Sequence, residues 1–303
     1  MIARRMIVLT LVFAMAPVLG AQDPQATFRT STNRVSVDVS VRREGRPVTG
    51  LGATDFELFD NGVKQNVIEL SYEQLPIDVT VALDVSGSVT GSLLDQLRRA
   101  VRQLRTDLSS RDRLRLITFN NRVQQVADFA APADKTDAAF DHVAAGGGSA
   151  ILDTLAVALA TPVPADRRQL IVLFSDGEDT SSITDNAALL SVARRTTPTV
   201  AVVLATPAPL LDRSATAEAR VAAESARKIF NDLATETGGS VVTLAPNETL
   251  PGAFRRVLEQ FRSTYVLRFA PEGVPRAGVH TLQVKVARPG TFDVRARAGY
   301  VWK

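Results

Sequence analysis

The sequence predicts an α/β fold: a doubly wound, mostly parallel sheet with an antiparallel edge strand, accompanied by β segments at the two chain ends. Three observations carry this. Strand-like and helical patterns alternate from about residue 76 to 262. Within that stretch "QLIVLFSDG" is a continuous apolar strand, the mark of a sheet covered on both faces. Outside it the pattern switches to alternation with a period of two, as in "VSVDVSVRREG".

The chain has 303 residues, 45% hydrophobic and 22% charged, enough for one large domain or two smaller ones. At its start, Arg4 and Arg5 precede an apolar run from Met6 to Leu19, and Gly20-Ala21 offers small residues for cleavage. Residues 1–21 therefore read as a secretory signal peptide. The run is short for a bilayer span and Pro17 interrupts it. No later segment reaches span length, so the mature protein is expected to be exported, periplasmic or secreted, with no stable membrane span. Losing Arg4 and Arg5 lowers the formal charge from +3 to +1. No dense Lys/Arg block interleaved with aromatics remains, which argues against nucleic acid as a partner. Cysteine is absent and histidine occurs only at His142 and His280. Cysteine-based catalysis is excluded, Cys/His zinc sites nearly so, and the fold must hold by its core.

After a short polar linker, residues 27–75 are expected to be β. Val35, Val37, Val39 and Val41 fall on one face of a strand, and Glu44-Gly45 marks a turn. "DFELFDNGVKQNVIEL" reads as two strands around the hairpin dipeptide Asn61-Gly62. Residues 76–262 form the α/β region. "IDVTVALDVS" is its first strand, and Leu93, Leu97, Val101, Leu104 and Leu108 then recur at helical spacing. "RLRLITF" and "VQQVADF" are strands joined by the short Asn120–Arg122 turn, which demands antiparallel pairing. Helices follow at about 135–144 and 150–160, then the strand 169–174, a helix near 186–196 and the strand "TVAVVLA". A long helix at about 215–237 is capped by Gly238-Gly239, and "SVVTL" and a last helix over about 249–262 close the region. Residues 263–303 return to β and are expected to pack with 27–75, because neither flank alone has enough strands for a stable core.

Chain direction gathers the polar loops. The carboxyl ends of the parallel strands define a top face. Asp84 ends the first strand there, with Ser86 and Ser88 in the loop that follows. The helix after the antiparallel strand rises, so the Gly146–Ser149 loop is delivered to the same face. The strand 169–174 ends there in "SDGED". In open α/β sheets this face carries the ligand, at the strand-order switch. The donor set is two carboxylates, Asp84 and Asp176, and three hydroxyls, Ser86, Ser88 and Ser149. Hard oxygens with little ligand charge suit Mg²⁺ or Mn²⁺, and an acidic group from another molecule could fill the remaining position.

These three motifs, "DVSGS" at Asp84–Ser88, the glycine-rich loop ending at Ser149 and "SDG" at Ser175–Gly177, resemble the von Willebrand factor type A (VWA) domain over roughly 76–250. The flanks "GRPVTGLGATDFELFDNG" and "YVLRFAP…VRARAGYVW" resemble those of secreted bacterial VWFA-related proteins. The resemblance implies a Rossmann-like VWA fold and a metal-ion-dependent adhesion site (MIDAS). That site takes an Asp-x-Ser-x-Ser loop, a Thr from a second loop and an Asp from a third. Ser149 stands where the family usually has Thr; its hydroxyl can coordinate but lacks the methyl that restricts the rotamer.

Each residue also has a plainer role open to it. Ser86, Ser88 and Ser149 could cap helices, and Asp176 could be a turn acid. Asp153 is expected to brace a loop, Glu178 and Asp179 to be solvated loop acids, and both histidines to be surface or packing residues. The Thr206–Ala215 loop, with Leu210-Leu211, is a candidate partner contact or else tucks its leucines under a helix. The functional expectation is an exported, non-enzymatic, metal-dependent protein-binding module. The alternatives are an α/β hydrolase or phosphotransferase, or a scaffold with a weakened metal site. No Gly-x-x-x-x-Gly-Lys-Ser/Thr loop or Gly-x-Ser-x-Gly elbow supports an enzyme.

Overall fold

Valines at every second position build β1 (Val35–Arg43), which turns back through Glu44 and Gly45 into the two-residue β2 (Arg46–Pro47). Both turn residues have positive φ, 53° and 78°. Asn61 and Gly62 repeat this geometry between β3 (Phe56–Asp60) and β4 (Val63–Gln65), the left-handed pair that a tight hairpin turn needs. The second strand of this hairpin is shorter than its sequence suggests. It breaks at Asn66, and the next stretch, β5 (Val67–Tyr72), pairs in a different sheet. The computed structural model describes residues 34–302 except 73–74, 163, 165, 176, 206–215 and 245–246, and except the side chains of 218, 219 and 222. The expected signal peptide 1–21, Asp176 and the Thr206–Ala215 loop lie outside the described residues.

The α/β region then runs through β6 (Ile77–Asp84), α1 (Ser92–Asp107), β7 (Arg113–Phe119), β8 (Val123–Ala127), α2 (Ala133–Asp141), α3 (Ile151–Leu159) and β9 (Arg168–Ser175). It continues through α4 (Asn186–Arg195), β10 (Thr199–Leu204), α5 (Ala217–Thr237), β11 (Ser240–Thr243) and α6 (Leu250–Arg262). The chain ends in β12 (Tyr265–Phe269), β13 (Gly278–Val286), β14 (Asp293–Ala296) and β15 (Gly299–Trp302). The central sheet has the order β11-β10-β9-β6-β7-β8, parallel throughout except for the antiparallel edge strand β8. This is the expected doubly wound fold.

The continuous apolar strands are explained by cover on both faces. Leu170, Val172 and Phe174 of β9 point into a core with Leu97, Val101 and Leu104 of α1 and Phe254, Val257 and Phe261 of α6. Ile171 and Leu173 point the other way, among Leu155 and Leu159 of α3, Leu189 of α4 and Phe230 and Leu233 of α5. Each such fully buried side chain contributes about 1.5–3 kcal/mol of transfer free energy.

The two chain ends share a third core. β1 lies between β12 and β14, and β12 also pairs with β5. A second small sheet has the order β15-β13-β3-β4. Val37, Val39, Leu58, Tyr265, Leu267, Phe269 and Tyr300, drawn from both sheets, pack together. Two buried arginines tie this core to the α/β region. Arg168, at the start of β9, donates to Asp38 of β1 at 2.6 Å, to the Phe261 carbonyl at 3.0 Å and to Thr264, and it stacks on the Phe261 ring. Arg297 donates to the Ala193 and Thr196 carbonyls at the end of α4, at 3.2 and 2.7 Å.

Candidate metal centre

β6 has its first neighbours in chain order, β7 on one side and β9 on the other, so the strand order reverses between β6 and β9. Ligands bind at such a reversal, outside the carboxyl ends of the strands. Asp84 ends β6 and Ser175 ends β9 at this point. Both are fully buried, and the Ser175 hydroxyl donates to Asp84 Oδ2 at 2.8 Å while accepting from the Gly177 amide at 3.0 Å. Ser175 belongs to the "SDG" motif but not to the expected donor set; its place as the last strand residue before Asp176 is the signal that marks it.

Around Asp84 the expected residues converge. Its Oδ1 accepts from the Ser86 amide at 2.9 Å. Ser86 and Ser88 place their hydroxyl oxygens 3.1 Å apart. Ser149 brings its Oγ to 3.4 and 3.3 Å from the two Asp84 oxygens. These last distances are long for a strong O–H···O bond, so the hydroxyl lies beside the carboxylate more than on it. Four of the five predicted donors therefore come together, and Asp176 lies outside the described residues. The plainer capping roles do not hold. The N-cap position of α1 is Gly91 and that of α3 is Ala150, and neither has a side-chain cap among the described residues.

The glycine-rich loop is held from several sides. The Gly146 amide donates to the Val85 carbonyl and the Gly87 amide to the Gly147 carbonyl, at 2.8 and 2.9 Å. The Gly148 amide donates to Asn121 Oδ1. A Cβ on Gly147 would overlap that same Asn121 side chain, and one on Gly148 would overlap Thr180 and Ser181. The glycines thus allow close approach between the β7–β8 turn and the top face.

The loop after β9 is braced by acids. Asp153 of α3 accepts from the Ile183 and Thr184 amides at 3.0 and 2.8 Å. Burial pushes its carboxyl up, but the Thr184 and Ile183 hydrogen bonds outweigh this and hold it below the ordinary carboxylate range. Asp179 is not the solvated acid expected. It accepts from the amides of Leu152, Ser181 and Ser182 at 3.2, 3.3 and 3.1 Å, fastening the loop to the start of α3. Glu178 and His142 are exposed, as expected. His280 is fully buried, with Nδ1 2.8 Å from Asp60 and its ring 4.7 Å from that of Tyr300.

The donors suit a hard divalent cation. They are a buried carboxylate and hydroxyls, with no nitrogen or sulfur among them. Among the described residues no group of three His, Cys, Asp or Glu side chains could hold a metal, so any ion here relies on the hydroxyls.

Residues 78–239 match the family model of the von Willebrand factor type A domain. The chain belongs to the VWA domain family. A pig protein, inter-alpha-trypsin inhibitor heavy chain H4, is 30% identical over 120 residues, covering 36% of this chain. The chain spans only 13% of the length of that protein and of its human counterpart. Among solved structures, a von Willebrand factor type A protein from Catenulispora acidiphila aligns with a TM-score of 0.47 at 14% identity, covering 82% of this chain and 74% of that one. Proximal thread matrix protein 1 from the mussel byssus, with a zinc-occupied MIDAS motif, aligns with a TM-score of 0.46 at 12% identity, covering 65% and 48%. VWA domains typically mediate protein–protein interaction without catalysis, and often bind a divalent metal at the MIDAS. No helix among the described residues is long and apolar enough to cross a membrane.

Proposed function

We propose that this VWA chain is an exported, non-enzymatic recognition module that holds Mg²⁺ or Mn²⁺ at a MIDAS-type site. Asp84, Ser86, Ser88, Ser149 and Asp176 are its ligands. Two carboxylates only balance the charge of the ion, so an open position stays electrophilic and engages an acidic group of a protein partner. The observation that carries this reading is the meeting of Asp84 with the hydroxyls of Ser86, Ser88 and Ser149 at the strand-order reversal. Export is supported by the Arg4-Arg5 and Met6–Leu19 pattern.

Titration calorimetry with MgCl₂ and MnCl₂ tests the site. Asp84→Asn keeps the shape of the side chain and removes its charge, so affinity is expected to fall more than about tenfold with an unchanged circular dichroism spectrum. Equal affinity in the folded variant would refute the site. Hydrolysis of p-nitrophenyl phosphate that depends on the metal and on Asp84 would instead favour the hydrolase.

A further inference from the structure

A second polar site lies at the opposite end of the central sheet. Ile77 and Asp84 are the two ends of β6, so about 23 Å separates this region from Asp84 at 3.3 Å per residue. There a cavity of about 600 Å³ opens between β1–β2, the loop after α1, and the carboxyl end of α6. That volume is within the range of small-molecule sites.

Among the described residues, five arginines line it, against two acids. Three of the five are already neutralised. Arg168 pairs with Asp38, Arg256 with Glu248 and Arg262 with Asp112, each at 2.6 Å. Arg42 and Arg111 are left. Arg42 spends one N–H on the Gly45 carbonyl at 2.7 Å, and neither forms an ion pair among the described residues. An unpaired guanidinium fork beside a cavity is suited to a planar or tetrahedral oxyanion, which can accept two N–H bonds at once. The rest of the wall includes the apolar side chains of Pro47, Leu75 and Ile77. The second lining acid, Glu259, is exposed and opposes an anion.

We propose that this cavity is a second ligand site, for a small organic anion. Its carboxylate or phosphate is held by Arg42 and Arg111, and its apolar body rests on Pro47, Leu75 and Ile77. The site is independent of the metal centre, because none of its described lining residues is among the proposed metal ligands and the two lie at opposite ends of β6.

Calorimetry and thermal melting with hexanoate, hexyl phosphate and inorganic phosphate test this, in EDTA and at ionic strength matched with sodium chloride. Saturable binding of hexanoate or hexyl phosphate is expected, and whichever binds tighter identifies the anionic group. Binding should weaken by about tenfold or more in R42Q/R111Q, since each arginine supplies a charge-assisted hydrogen bond. It should tighten in E259Q and persist in D84N. If R42Q/R111Q does not fold, R111Q alone serves, because the Arg111 side chain makes no hydrogen bond among the described residues. The proposal is overturned if neither amphiphilic probe binds saturably. It is equally overturned if the arginine variants bind as wild type does, or if binding is lost in folded D84N.

Discussion

At the scale of single residues, the long Ser149–Asp84 distances matter most. A hydroxyl 3.3–3.4 Å from both oxygens is not locked by its neighbour and is free to turn to an ion. The cost is a freer rotamer, since serine lacks the branch that stiffens threonine. Ser149→Thr is therefore expected to keep or raise Mg²⁺ affinity in calorimetry, and a clear loss would show that Ser149 is not a ligand. Arg115 of β7 poses a different residue-scale question. It is 5% exposed and donates to Thr161 at 2.6 Å, but its Nε and Nη2 are buried without a hydrogen-bond partner among the described residues. Burial pushes the guanidinium below its ordinary range despite the opposing charge of Asp128. An unsatisfied buried polar group costs about 1–3 kcal/mol, and an apolar side chain of similar length avoids that cost. Arg115→Met is expected to raise the melting temperature by roughly 2 °C or more. An early melt would mean that its stacking on Phe129, at 5.5 Å, outweighs the burial cost.

At the scale of elements, what could be read from the sequence depended on how local the signal is. Asp84, Ser86 and Ser88 follow one strand within five residues, so their approach to one another is fixed by the backbone they share. The hairpin at Asn61-Gly62 was legible for the same reason. The break at Asn66 was not, because it is imposed by β5 joining β12, about 200 residues away. Asp179 looked like any loop acid until α3 supplied the Leu152 amide. Asp112 shows how one side chain can fasten several elements. It accepts from the Ile77 amide at the start of β6, from the Ser109 amide and hydroxyl after α1, and from Arg262 of α6, at 2.6 to 2.9 Å. Burial pushes its carboxyl up, but these hydrogen bonds and the Arg262 charge outweigh this and leave it below its ordinary value of 3.8. A depressed carboxyl stabilises the fold above the unfolded value and loses that contribution as pH falls through the folded one. Melting temperature should therefore drop more steeply between pH 5 and pH 3, a window of about one unit either side of the unfolded value, in wild type than in Asp112→Asn. Parallel curves would show that Asp112 is not a main acid-labile joint.

At the scale of the whole molecule, the two chain ends depend on each other. β1 is flanked by β12 and β14, and β5 by β12, so residues after 262 supply a neighbour to both strands. Tyr265 shows the dependence in one side chain. It is buried at 1% exposure, its hydroxyl donates to the Val48 carbonyl at 2.9 Å and accepts from the Leu51 amide at 3.1 Å, and its ring meets Phe56 and Tyr72. The fully buried Asp60 adds a second tie, accepting from Tyr300 at 2.7 Å beside His280. Without β12 to β15, Val37, Val39 and Leu58 would lose most of the core they enter, and isolated hairpins are marginal in water. The α/β region keeps its own two cores on either face of the central sheet. We therefore propose that the two β segments form one folding unit into which the α/β region is inserted. A chain ending at Arg262 is expected to remain helical by circular dichroism while trypsin cuts it rapidly at Arg42 and Arg43. The full chain should resist cleavage at Arg42, since β1 is paired there with both β14 and β2. If the truncated chain protects these arginines as well as the full one, the amino-terminal strands fold without the carboxyl-terminal ones and the two are separate units.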